Sequence, residues 1–153
     1  MSSVHDVVLA HLDSQGLIHA VDPATGAFTY EVTGPHNLTI PVEAHTAATL
    51  VVRARFPLFI SAVDGHPLIE YVRRANLAEQ VGALELAFVD DEVRLSFRTA
   101  IDFAGTEPSP VMVARALDRA VGGIIRHSPN ISSVAYGVSV DEARPAPPDP
   151  FDN

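Results

Sequence analysis

Two short runs of alternating residues confine this chain more than anything else in it. In Leu84-Glu85-Leu86-Ala87-Phe88 and again in Val93-Arg94-Leu95-Ser96-Phe97, apolar side chains fall at every second position. That period belongs to a strand with one buried face. Asp90-Asp91-Glu92 lies between the runs, too little chain for a crossover and polar enough for a turn. The two runs therefore close as an antiparallel hairpin with one face toward a core. On its outer face Glu85 comes within reach of Arg94 or Arg98, an exposed pairing worth well under ~1 kcal/mol.

A hairpin needs something to cover its apolar face, and the flanking segments supply helices. Ser3-Val4-His5-Asp6 has the spacing of a capping box. Val4, Val7, Val8 and Leu12 follow at helical spacing, and Gly16 suits the left-handed closing position. A second helix begins near Asp64-Gly65-His66-Pro67, with Leu68, Ile69, Val72 and Ala75 expected inward and Asn76 expected as its C-cap. A third is capped by Thr106 or Ser109 and carries Val113, Leu117, Ala120, Val121 and Ile124 as its stripe. Gly122-Gly123 weakens that helix by ~1 kcal/mol each relative to Ala, which calls for close packing on the sheet or an early end. Pro129-Asn130 is expected to punctuate, and residues 131–140 are ambiguous.

Between the first two helices the period is again two. Residues 17–21 form a candidate strand, and Phe28, Tyr30 and Val32 alternate with Thr29 and Glu31 after the Asp22–Gly26 turn. Residues 38–42 are a weaker strand that Pro41 pushes toward an edge. Residues 50–56 alternate around Arg53 and Arg55. The order is α-β-β-β(-β)-α-β-β-α. Sequential strands joined by short turns imply an α+β fold, an antiparallel sheet with helices packed on one face. The expected division is a single domain over 1–140 and a disordered, proline-rich acidic tail over 141–153.

Composition then removes function classes. The net charge is −9, and the ten cationic side chains, all arginine, are scattered, which disfavours nucleic acid and anionic membranes. Absent lysine and cysteine leave no Schiff base, phosphate-loop lysine, thiol nucleophile or thiolate metal site. No apolar run approaches the ~20 residues of a membrane span, and the first residues lack the pattern of a signal peptide, so a cytoplasmic location is expected. Seven histidines (His5, His11, His19, His36, His45, His66 and His127) have no shared helical spacing, and His5 and His11 diverge around their helix. They are expected at the surface or in caps. Asp90-Asp91-Glu92 lacks the Asp ladder and glycine of a calcium loop, and no GxSxG elbow occurs. No catalytic, cofactor-binding or metal-binding residue is expected, and no cofactor.

The run "PLIEYVRRANLAEQVGALELAFVDDEVRLSFRTAIDFAG" with the amphipathic helix after it resembles the YbjN family of bacterial proteins, which is related in fold to type III secretion chaperones. Asn76, Leu84 to Phe88, Val93 to Ile101 and Val113 to Ile124 occupy the family's helix-end, hairpin, continuation and closing-helix roles, and the resemblance covers roughly residues 3–127. It implies a non-enzymatic protein-binding or regulatory domain, commonly a homodimer, that captures an extended protein segment on apolar grooves or a sheet edge. Phe56, Phe59 and Ile60, an apolar cluster outside the periodic elements, are the candidate interface; the alternative is that they plug the core. The competing function is a small-molecule binder or enzyme with a cavity on a curved sheet, recruiting His19, Tyr30 or Arg53.

Overall fold

The computed structural model describes residues 2–137; the expected tail at 141–153 lies outside the described residues. The sheet has seven strands: β1 (His19–Val21), β2 (Phe28–Thr33), β3 (Thr39–Thr46), β4 (Thr49–Arg55), β5 (Ile60–Ser61), β6 (Ala83–Val89) and β7 (Glu92–Asp102). All pairings are antiparallel, in the order β1-β2-β3-β4-β7, with β6 on the far side of β7 and β5 continuing the β4 side. The helices are α1 (Val4–Ser14), the single turn α2 (Ala62–Gly65), α3 (Leu68–Ala78) and α4 (Pro110–Ala135). This is the α+β layering expected, with β5 and α2 added in the stretch between β4 and α3.

The alternation explains why one face is covered. Phe28, Tyr30, Ile40, Val42, Ala44, Leu50, Val52, Ala54, Leu84, Leu95 and Phe97 are all buried, whereas their neighbours Thr29, Glu31, Glu43, Arg53, Arg55, Glu85 and Arg94 are half-buried or exposed. α4 crosses the buried face, presenting Val113, Ala116, Leu117, Ala120 and Ile124 to it. Thr99 is accommodated there because its hydroxyl donates to the Ala116 carbonyl at 2.9 Å. α1 is closed as expected, with a complete capping box at Ser3 and Asp6 and Gly16 at φ 67°.

Four local expectations are corrected. Pro41 lies inside the sheet rather than at an edge, paired with Glu31; the β3–β4 pairing starts one residue later at Val42 and Ala54, so the missing N–H costs no rung there. Ile69 is 48% exposed and Tyr71 takes its place inward. α4 does not stop at Pro129 but continues to Ala135, taking in the first residues of the ambiguous stretch. Asn76 sits inside α3, which ends at Ala78, and does not cap it. Its amide instead donates to the Leu84 carbonyl at 3.0 Å and accepts from the Leu84 N–H at 2.8 Å, standing where the next strand of the sheet would be.

Gly123 shows why α4 tolerates a glycine pair. A Cβ at this position would fall onto the Phe97 ring, whereas at Gly122 it would meet nothing. Of the two explanations open in the sequence, close packing holds, and it holds for one glycine of the two.

Candidate functional site: the open face of the sheet

The uncovered face of the sheet is concave. A depression of about 880 Å³ is bordered by residues 16–20, by Thr29 and Glu31 of β2, Pro41 and Glu43 of β3, Arg53 and Arg55 of β4, and Arg94 and Ser96 of β7. Strand register dictates this gathering. Arg53 stands opposite both Glu43 and Arg98, and Arg55 opposite Ser96, so alternate positions of four strands deliver their polar side chains to one surface.

Its charges are ordered. Arg53 donates to Glu85 at 2.8 Å and Arg98 lies 3.4 Å from the other oxygen of the same carboxylate. Arg94 is engaged by Glu92 at 3.0 Å. Arg55 is exposed and has no ion-pair partner among the described residues. With Arg94 paired to Glu92, the surplus charge that makes this the cationic end comes from Arg55, and Glu31 and Glu43 lie toward the other end.

A second, smaller depression of about 270 Å³ adjoins the cationic end and shares Arg55 and Arg94 with it. Its other wall comes from an interruption of the sheet. β4 leaves its ladder after Arg55 opposite Ser96, Phe56 N–H still donates to the Leu95 carbonyl at 2.7 Å, and pairing resumes only at Ile60 opposite Val93. Pro57, Leu58 and Phe59 are looped out between, as in a wide bulge, and this re-aims their side chains to solvent. Phe59 is 66% exposed and Leu58 is 42% exposed. Tyr136, just past α4, braces the loop by donating its hydroxyl to the Phe59 carbonyl at 2.9 Å.

The structure thus divides the candidate interface. Phe56 and Ile60 are buried in the core, as the alternative had them, and Phe59 alone offers its ring to solvent. His19, Tyr30 and Arg53 all border the larger depression but do not converge in it. The Tyr30 ring is buried, which raises its pKa, and His19 Nδ1 is turned to the Leu17 carbonyl at 3.1 Å. Only Arg53 directs a charged group outward.

One polar cluster went unseen in the sequence. His127, expected at the surface, is fully buried between α3 and α4. Its Nδ1 is 2.8 Å from the Tyr71 hydroxyl and its Nε2 is 2.7 Å from Glu79 Oε1. A neutral imidazole satisfies both, Nε2–H donating to the carboxylate and Nδ1 accepting from the phenol. Burial lowers the His127 pKa against the opposing pull of Glu79, and Arg126, 3.2 Å from Glu79, adds to the lowering. Tyr71, His127 and Glu79 have the order of a proton relay, but Tyr71 is 1% exposed, His127 0%, and the Glu79 side chain 7%, and neither depression reaches them. Without access for a substrate the cluster serves to lock α3 to α4. A histidine four residues below Gly123 on the same helix was the available signal, since that face packs on Phe97. Among the described residues no group of histidines and carboxylates has the arrangement of a metal site.

No protein-family model matches the chain, and no curated protein matches it in sequence. A solved structure does match in shape: the crystal structure of YbjN from E. coli, described as a candidate transcription regulator, superposes with a TM-score of 0.61 at 14% identity. The match covers 84% of this chain and 95% of that one. The chain therefore has a YbjN-like fold, as the resemblance in the hairpin region implied. Among the described residues no helix is long and apolar enough to cross a membrane.

Proposed function

We propose that this chain is a non-enzymatic protein-binding module that captures an extended, acidic segment of a partner protein along the open face of its sheet. The observation that carries the reading is the continuity of the exposed Phe59 shelf with the cationic end at Arg55 and Arg94. An aromatic side chain held out beside the exposed Arg55 guanidinium, with Arg94 next to it paired to Glu92, suits a peptide of mixed apolar and acidic character. Capture at the β6 edge is less favoured, because Asn76 already occupies the backbone groups of Leu84 that an added strand would need.

The structural neighbour's description as a candidate regulator agrees with a regulatory role exercised through protein contact. Direct contact with DNA is disfavoured by the net charge of −9 and by Glu31, Glu43 and Glu85, which interrupt the arginines on the same face. The larger depression would hold a small molecule by volume, but it lies open along the sheet, and small-ligand sites usually enclose most of their ligand. In the same reading the module works in the cytoplasm as a homodimer, supported by Leu77, Val111 and Met112, apolar side chains left exposed on the helical layer. A strictly monomeric mass by sedimentation equilibrium removes the dimer.

Fluorescence anisotropy with labelled extended peptides, acidic or basic and otherwise matched, tests the capture surface. The acidic peptides are expected to bind, to lose affinity with salt, and to lose about tenfold more when Arg55→Glu and Arg94→Glu are combined. Equal binding of both peptide classes, or indifference to the charge reversal, overturns the reading.

A further inference from the structure

We infer that the captured segment crosses the strands as a polyproline-type helix and carries two opposite charges three residues apart, an acid for Arg55 and a base for Glu31. This rests on the capture surface proposed above and names the partner's chemistry. Three observations point the same way.

The first is which charges are left over. The other acidic and guanidinium side chains bordering the larger depression are engaged: Glu43 with His45, Arg53 with Glu85 and Arg94 with Glu92. Arg55 and Glu31 are exposed and have no ion-pair partner among the described residues. The face therefore offers one cation and one anion to a ligand.

The second is where register puts them. Glu31 stands opposite Pro41, and one step past the last β3–β4 pair, Val42 with Ala54, the same register sets Arg55 beside Pro41. Arg55, Pro41 and Glu31 thus form one row across three strands, and all three border the depression. Two strand spacings separate the charged residues by roughly 10 Å. Between them lies the Pro41 ring, which carries no charge.

The third is the backbone that fits such a row. β3 and β4 are interior strands, paired on both sides, so a segment laid over them finds no free ladder. A β-strand there would leave its own N–H and C=O groups without protein partners, whereas a polyproline helix keeps its backbone solvated. Its side chains return to the same face after about three residues and roughly 9 Å, which matches the row. The same-face spacings of a strand, roughly 7 and 13 Å, do not. The two intervening residues lie over Pro41 and suit proline, which also lowers the entropy lost on docking.

The smaller depression fixes the remaining position. It meets the larger one at Arg55 and Arg94 and is walled by Leu58 and Phe59, while Glu31 does not border it. The residue next to the acid, on the side away from the base, is therefore apolar.

Fluorescence anisotropy on the full chain tests the pattern with end-capped, fluorescein-labelled peptides. The probe carries Leu-Glu-Pro-Pro-Arg at its centre. Controls have one proline fewer, one proline more, or the Glu and Arg exchanged. The probe is expected to bind about threefold more tightly than either spacing control and about tenfold more tightly than the exchanged one. Glu31→Arg should weaken the probe about fivefold and leave a peptide with Gln in place of its Arg unchanged. The chain carrying both Arg55→Glu and Glu31→Arg should prefer the exchanged peptide; both positions are exposed, so folding is expected to survive. Equal binding at the three spacings, or indifference of the probe to Glu31→Arg, overturns the inference. So does a dimer by sedimentation equilibrium that Glu31→Arg dissociates, which would make the occupant a second copy. If acidic peptides bind through Arg55 whatever the place of the base, the capture surface stands and the pattern falls; if no peptide binds, both fall.

Discussion

His127 Nε2 and Glu79 Oε1 are 2.7 Å apart, and the two side chains are 0% and 7% exposed. A carboxylate and an imidazole this close outside solvent form a lock whose strength depends on which of them holds a proton. Burial favours the neutral ring, so the folded-state pKa lies below the ordinary 6.5.

The sign of the pH effect follows. Above the ordinary pKa neither folded nor unfolded chain protonates this ring, and His127 contributes no pH dependence. As pH falls through 6.5 the unfolded chain takes up a proton that the folded chain refuses, and stability drops by up to about 1.4 kcal/mol per pH unit for this one group. Urea denaturation at a series of pH values checks it. The parent chain is expected to lose more stability between neutral pH and the lower pH than His127→Gln does, and parallel curves for the two would contradict the assignment.

The glycine pair in α4 offers a sharper contrast. Gly123→Ala drives its methyl into the Phe97 ring and is expected to cost about 1–3 kcal/mol, while Gly122→Ala meets nothing and gains about 0.5–1 kcal/mol of helix propensity. Thermal melts of the two single variants should move in opposite directions.

Asn76 holds both backbone groups of Leu84, a buried residue that begins β6. Asn76→Ala is expected to destabilise by about 2–3 kcal/mol, because it strands a donor and an acceptor together. Asn76→Asp keeps the acceptor and loses the donor, so it should fall between. Hydrogen exchange at the Leu84 amide reads the effect locally and should accelerate in both variants.

The divided interface predicts opposite consequences for neighbouring phenylalanines. Phe56→Ala empties a core position and is expected to cost about 3–5 kcal/mol. Phe59→Ser removes an exposed ring and should stay within about 0.5 kcal/mol in stability while weakening peptide capture. Denaturation midpoints and peptide anisotropy on both variants separate the two roles.

The period of the side chains carried much of this fold. Alternation located β2, β4 and the β6–β7 hairpin, and helical spacing located α1 and α4, because one-sided burial is written directly in such patterns. What the period does not encode went astray. Pro41 is tolerated by the offset of the two ladders on β3, a matter of register. Pro129 does not end α4, and Asn76 is claimed by β6 rather than by its own helix end. The site was the least legible part. Phe56, Phe59 and Ile60 form one apolar cluster in sequence, and only the looping-out of Pro57 to Phe59 from the β7 ladder sorts them into core and surface. The spacing of His127 from Gly123 hinted at its burial but not at its partners, since Tyr71 and Glu79 come from another helix and its end. The arginines looked scattered because they are spaced along the chain, although β4 and β7 place four of them side by side: Arg53, Arg55, Arg94 and Arg98.

The most direct test of the capture surface reads those arginines one by one. In nitrogen-resolved NMR of the guanidinium Nε–H groups, an acidic, apolar-containing peptide is added to the isotope-enriched protein. The account predicts shifts concentrated at Arg55 and Arg94, smaller ones at Arg53 and Arg98, and none at Arg126, which lies between the helices. Shifts centred on the arginines of α3 and α4, or none at Arg55 at saturating peptide, would contradict it.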